Sequence, residues 1–222
     1  MKVTYIDHSG FFVELENCCL LFDYWKGQLS YPRKKMYVFV SHSHSDHFNP
    51  EIFKLRESCD VTFIISKDVR VKEKTDDIIF VKAGEKIRAG DITVETLNST
   101  DCGVAFAVSC EGTEIFHAGD LNLWLWKEET KAYNNNMKAL FEKYILPING
   151  RHFDVGFIPL DPRQEEYYCL GMDRFLETAD FKAVFPMHFW GKFDLIKKYK
   201  AERPKNSEII KDITHKGYLM EV

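Results

Sequence analysis

The feature that most constrains this chain is a short apolar run, Tyr37-Val38-Phe39-Val40, that leads without a break into Ser41-His42-Ser43-His44-Ser45-Asp46-His47. An unbroken apolar run of this length, rather than an alternation, marks a strand covered on both faces. The fold must therefore enclose this strand between layers and carry three of the chain's eight histidines at its carboxyl end. Imidazole and carboxylate suit zinc, manganese and ferrous iron, and packing alone gives no reason to concentrate them so densely. In an extended segment, side chains two apart point the same way, so His42 and His44 can grip one ion together. Asp46 and His47 are adjacent, so the chain must turn after His44 before they converge, which implies two neighbouring metal positions. The competing reading is an exposed polar loop whose histidines are merely solvated.

Around this point the sequence reads mostly as strands. Residues 2–6, 11–15 and 18–22, separated by Ser9-Gly10 and Glu16-Asn17, form an opening meander with Asp23 at the end of its third strand. Residues 24–35 contain Gly27 and Pro32, show no period, and read as a loop. Asn49-Pro50-Glu51 supplies a cap, a first-turn proline and an early acid, predicting a helix to about Ser58. Strands are expected at 61–65 and, after a charged connection, at 78–81. Segments 86–88, 92–97, 104–110 and 114–117, with turns at Ala89-Gly90-Asp91 and Glu111-Gly112, predict a largely antiparallel second sheet closed by Ala118-Gly119-Asp120. The spacing of Ala132, Met137, Leu140, Phe141, Tyr144 and Ile145 predicts a helix over 128–146. It contains Asn134 to Asn136, for which the sequence offers no reason. A strand at 154–158, a helix at 172–179, a strand at 181–185 running into Pro186-Met187-His188, a helix at 193–200 and a final strand pair that includes 218–222 follow. This order fits two sheets packed face to face with helices outside, and gathers strand-end ligands along one edge.

With 30 Lys plus Arg against 34 Asp plus Glu, the net charge of −4 provides no basic field for phosphate contacts, so no large nucleic acid is expected as a partner. The six cysteines include no C-x-x-C pair and read as buried thiols. Asp7 and His8 interrupt the first apolar stretch, which argues against a secretory signal, and no run is long enough to span a membrane. The expectation is a cytoplasmic protein that acts on a small molecule, with a homo-oligomer left open.

The H-x-H-x-D-H run after a buried strand, the aspartate closing the preceding meander, the later Gly119-Asp120 and the late His188 together resemble the metallo-β-lactamase superfamily along essentially the whole chain. His8-Ser9-Gly10-Phe11, His117-Ala118-Gly119-Asp120 and Pro186-Met187-His188-Phe189 look like the bacterial branch that includes the L-ascorbate-6-phosphate lactonases. The resemblance implies an α+β fold, a four-layer αββα sandwich forming one domain over residues 1–222, with a binuclear metal centre. His42 and His44 would bind the first metal, and Asp46, His47 and His188 the second. Asp120 would bridge them, while Asp23 would stand behind and hold the imidazoles in orientation. The family also supplies a third histidine to the first metal, from a loop that here reads Leu97-Asn98-Ser99-Thr100-Asp101-Cys102-Gly103 and contains none. That position is left with His42, His44 and Asp120, plus water or a substitute such as Asp101, and is expected to be weak or empty beside a tighter second one. His117 lies three residues before Asp120, on the opposite face of a straight strand, and is read as a packed group behind the ligands. His8 is placed near the mouth of the site, where it could contact substrate or order a ligand.

The expected cofactor is zinc, one or two ions, with manganese or iron equally suited to the donors. The expected activity is hydrolysis by a metal-activated water of a small, anionic lactone, ester or amide, with Asp46 handling the proton. Arg163 is the candidate to bind a substrate carboxylate or phosphate. Phosphodiester hydrolysis is the alternative supported by the same ligands, and a degenerate site that binds metal or ligand without turnover is a third.

Overall fold

The protein is described by a computed structural model covering residues 1–72 and 75–222; part of the charged connection expected before Ile78 lies outside the described residues. The first sheet is built from β1 (Lys2–Asp7), β2 (Gly10–Glu14), β3 (Cys18–Phe22), β4 (Lys35–Val40), β5 (Val61–Ser66) and β6 (Ile78–Val81). The second uses β7 (Lys86–Ala89), β8 (Ile92–Asn98), β9 (Val104–Cys110), β10 (Thr113–His117), β11 (His152–Pro159) and β12 (Asp180–Met187). The last strand, β13 (Tyr218–Glu221), returns to pair with β1, so the spatial orders are β13-β1-β2-β3-β4-β5-β6 and β12-β11-β10-β9-β8-β7.

The buried strand β4 lies between β3 and β5 and runs parallel to both. Its residues alternate between two cores, and so do those of β3. Leu20, Phe22, Tyr37 and Phe39 face the second sheet, whereas Cys19, Leu21, Met36, Val38 and Val40 face outward onto Ile52 and Leu55. Burying such side chains contributes about 1.5–3 kcal/mol each, which is why neither face can be left to water. The outward layer here includes a tight 3-10 helix, Pro50–Glu57, with the Asn49 side chain accepting from the Glu51 N–H as its cap.

In the second sheet, β7 to β10 are antiparallel, as their turns require, but β10, β11 and β12 run parallel. The antiparallel expectation thus describes its first four strands only. Long crossovers make the difference, because helices α1 (Lys131–Ile145) and α2 (Leu170–Thr178) carry the chain back across the sheet each time. A third helix, α3 (Asp194–Glu202), follows β12. In α1, Thr130 caps the N-terminus and Met137, Phe141 and Ile145 are buried. Asn134 has a structural use after all: its side-chain amide pairs with both the N–H and the carbonyl of Trp126, at 3.1 and 2.8 Å. No helix among the described residues is long and apolar enough to cross a membrane.

Candidate metal centre

The parallel strands of both sheets end at one edge, and there the titratable residues meet. After β4 the chain turns as the spacing requires, with the N–H groups of His47 and Phe48 both donating to the carbonyl of His44. Two donor groups result. His8, Asp46, His47 and His188 form one, and His42, His44, Asp101 and Asp120 the other, the potential ligand atoms of each lying within 4.8 Å of one another. Asp120 stands between them. Its Oδ2 is 3.5 Å from His42 Nε2, while its Oδ1 is 3.1 Å from His47 Nε2 and 3.5 Å from His188 Nε2.

Each inward-facing imidazole is held from behind. Asp23, fully buried, accepts from the Ser41 N–H at 2.7 Å and the Ser41 hydroxyl at 2.6 Å, and pairs with His47 Nδ1 at 2.7 Å. With its proton given to Asp23, the Ser41 hydroxyl can only accept from His42 Nδ1, 2.9 Å away. His188 Nδ1 lies 2.8 Å from Asp161 Oδ2, also fully buried. In all three rings Nδ1 donates outward, leaving the Nε2 lone pair aimed at Asp120. Ser41 and Asp161 were not singled out from the sequence. Asp161 had a legible signal, since like Asp23 it follows the end of a buried strand; Ser41 had none.

The electrostatics leave room for a cation. His47 Nε2, Asp120 Oδ1 and His8 Nε2 are buried without a hydrogen-bond partner among the described residues. A lone pair of His47 thus faces a carboxylate oxygen at 3.1 Å, an arrangement that needs a proton or a metal ion between them. Burial opposes the charge on His47, but Asp120 and Asp23 override it and hold its pKa well above the ordinary value. Burial likewise opposes ionisation of Asp120, and the three imidazoles His47, His188 and His42 override it, so its pKa is far below normal. Asp101 goes the other way: burial and the charge of Asp120 raise it. Burial pushes His42 and His8 down to about 4, keeping both neutral and fit to coordinate. A mixed set of imidazole and carboxylate donors of this kind fits divalent ions of borderline hardness.

His8 stands differently from its sequence placement, Asp101 and Arg163 add to theirs, and His117 is packed as expected. His8 is not at the mouth but 2% exposed, because the Asp7–Gly10 turn holds it at φ 54°, with its N–H on Tyr5 Oη and its carbonyl accepting from His188. Its Nε2 lies 3.2 Å from Asp46 Oδ2. Asp101 occupies the loop that lacks a histidine and reaches to 3.6 Å from His44 Nδ1. Both are about half exposed, whereas His8, His47 and His188 are buried, so the two donor groups differ in solvent access. His117 has both nitrogens occupied, by the Ser9 carbonyl and the Gly119 N–H, and stacks on Phe22. Arg163 is clamped by Asp161 through Nε and Nη2, yet lies 4.7 Å from the Trp190 ring and lines a cavity of about 180 Å³. Asp101, Asp120, Trp124 and Trp126 form other walls of that cavity.

A family model described as a beta-lactamase superfamily domain matches residues 2–138. A UPF0173 metal-dependent hydrolase of Archaeoglobus fulgidus is 23% identical over 222 residues, which cover 89% of this chain and 87% of that one. Its namesake in Alkaliphilus metalliredigens is 26% identical over 177 residues, 68% and 74% of the two chains. Among solved structures, the metallo hydrolase Igni18 of Ignicoccus hospitalis superposes with a TM-score of 0.62 at 16% identity, covering 100% of this chain and 98% of that one. The metallo-beta-lactamase fold protein YhfI of Bacillus subtilis does so with 0.62 at 14%, covering 99% and 98%.

Proposed function

The chain belongs to the beta-lactamase superfamily, and on that premise we propose that it is a metal-dependent hydrolase of a small anionic lactone, ester or amide. The observation that carries this reading is the convergence of the two donor groups on Asp120 at the floor of a cavity bordered by Arg163. His42, His44, Asp101 and Asp120 would hold one ion, and Asp46, His47, His188 and Asp120 the other, with His8 behind Asp46. The half-exposed first group would hold its ion more weakly than the buried second. Zinc is the expected metal, and manganese or iron would satisfy the same donors. The motifs around His8, His117 and His188 favour the lactonase-like branch.

When bound, the ions supply an activated water and polarise the oxygen that gains charge. The chain's own part is orientation and proton handling. Asp23, Ser41 and Asp161 fix the three rings. Asp46, whose Oδ2 lies 3.2 Å from His8 Nε2, would take the proton of the attacking water and pass it to the leaving group. Its carboxyl stays ionised because, although burial opposes this, His8 and His47 lower its pKa strongly. Arg163 turns a guanidinium edge toward a substrate carboxylate or phosphate while Trp124 and Trp126 exclude water from an apolar part.

The test is to strip the protein of metal, reload it separately with zinc, manganese and ferrous iron, and assay lactones, esters, amides and phosphodiesters. Turnover of the first three classes that disappears on chelation is the expected result. Turnover of phosphodiesters alone would transfer the assignment to that chemistry, and no turnover with any metal would sink the hydrolase reading.

A further inference from the structure

A second cluster of reactive groups lies at the opposite ends of the strands from the metal centre. Cys18 opens β3, whose far end carries Asp23, and Cys110 closes β9, whose far end begins at Val104, bonded to the Ser41 carbonyl. A strand length, on the order of 15 Å, separates the two regions. The Cys18 and Cys110 sulfurs are 3.2 Å apart although the residues belong to different sheets and are 92 positions apart in sequence. They are 6% and 2% exposed. Among the described residues no other two cysteine sulfurs make such a contact.

The surroundings hold the pair in place. The Glu111 carboxylate accepts from the backbone N–H groups of Glu16 and Asn17, at 3.0 Å each, and so latches the β9–β10 turn onto the β2–β3 turn. The residue adopts φ 51° to do so. A cavity of about 370 Å³, bordered by Leu15, Glu16, Glu111 and Thr113, opens beside this latch. Either thiol can donate to the other across this contact, and burial opposes ionisation of both.

We propose that Cys18 and Cys110 form a modification site, a dithiol that hydrogen peroxide closes into a disulfide joining the two sheets. In the first step one sulfur of the pair, taken as Cys110, attacks one peroxide oxygen: an S–O bond forms, the O–O bond breaks, and the departing oxygen leaves as water with the thiol proton. In the second the Cys18 sulfur attacks the Cys110 sulfur of the resulting sulfenic acid: the S–S bond forms, the S–O bond breaks, and a second water leaves with the Cys18 proton. Two thiols are oxidised, one peroxide is reduced to two waters, and a sulfur approach of about 1 Å suffices. The bond would close a long loop of the unfolded chain and staple the far edge of the sandwich.

The experiment treats the full chain, loaded with zinc, with hydrogen peroxide, then counts thiols after denaturation and maps peptides without reduction. The expected result is the loss of two thiols, a linked peptide containing Cys18 and Cys110, reversal by dithiothreitol, and a higher melting temperature than that of the reduced protein. Cys18→Ala and Cys110→Ala should each abolish the linked peptide. Because the wild-type map stands without the variants, a failure of either to fold leaves the test intact. Oxidation confined to Cys102 or Cys59, or Cys110 advancing to sulfinic acid with Cys18 still free, would overturn the proposal.

Discussion

At the scale of the residue, the centre depends on carboxylates that never touch the reacting atoms. Asp161 is divided between His188 and Arg163, so Asp161→Asn should weaken metal binding about 10–100-fold and also loosen the guanidinium, a double effect readable by metal titration and substrate KM. Asp46→Asn, which keeps the size of the side chain, should lower kcat by about 10²–10⁴ with the circular dichroism spectrum unchanged; retained turnover would refute the proton role. The buried imidazoles set the pH dependence of the metal-free protein. His8 and His42 titrate near pH 6.5 when unfolded and at about 4 when folded, so between those values the unfolded chain binds more protons. Stability should therefore fall as the pH drops through that window. His47 has the opposite sign: its folded pKa is raised, so its contribution is present below pH 6.5 and is lost as the pH climbs through the raised value. Urea midpoints measured on metal-free protein should show the acid limb, and His42→Gln should flatten it.

At the scale of the element, one loop determines whether the first donor group exists. The segment between β8 and β9 brings Asp101 to His44 only because Gly103, at φ 66°, lets the backbone press against the motif. A Cβ at that position would lie 1.9 Å from the Ser41 carbonyl and 2.6 Å from His42 Cβ. Gly103→Ala should thus cost at least about 2 kcal/mol in urea unfolding and lower metal occupancy, whereas the same change at Gly150, whose Cβ would meet nothing within 4 Å, should leave occupancy alone. Strands and helices were largely legible because burial on one or both faces imposes a period on their residues, as in β4 and α1. The parallel pairing of β10, β11 and β12 was not, since strand periodicity is the same in either direction.

At the scale of the whole molecule, the donors come from both sheets: His42, His44, Asp46 and His47 follow β4, while Asp101, Asp120 and His188 belong to the second sheet's connections. An ion held there binds only when the sheets are docked, so it stabilises the folded protein by mass action, about 2.7 kcal/mol at a hundred times its dissociation constant. Removing metal with a chelator should lower the melting temperature, and added zinc or manganese should restore it in a concentration-dependent way, readable by scanning fluorimetry. An unchanged melting temperature would count against metal binding at this seam.

The sequence by itself determined that a buried strand ends in a dense set of imidazole and carboxylate donors, and that strands dominate the chain, because burial and ligand chemistry are written in residue types and short spacings. Only the tertiary structure decided which distant groups complete the centre. His8 and Asp101 were legible as candidates, but their partners, Asp46 and His44, were not, and Ser41 and Asp161 act by standing behind rings that are one and 27 positions away. Their roles arise from distance and direction across two packed sheets, and neither quantity is encoded in any window of the chain.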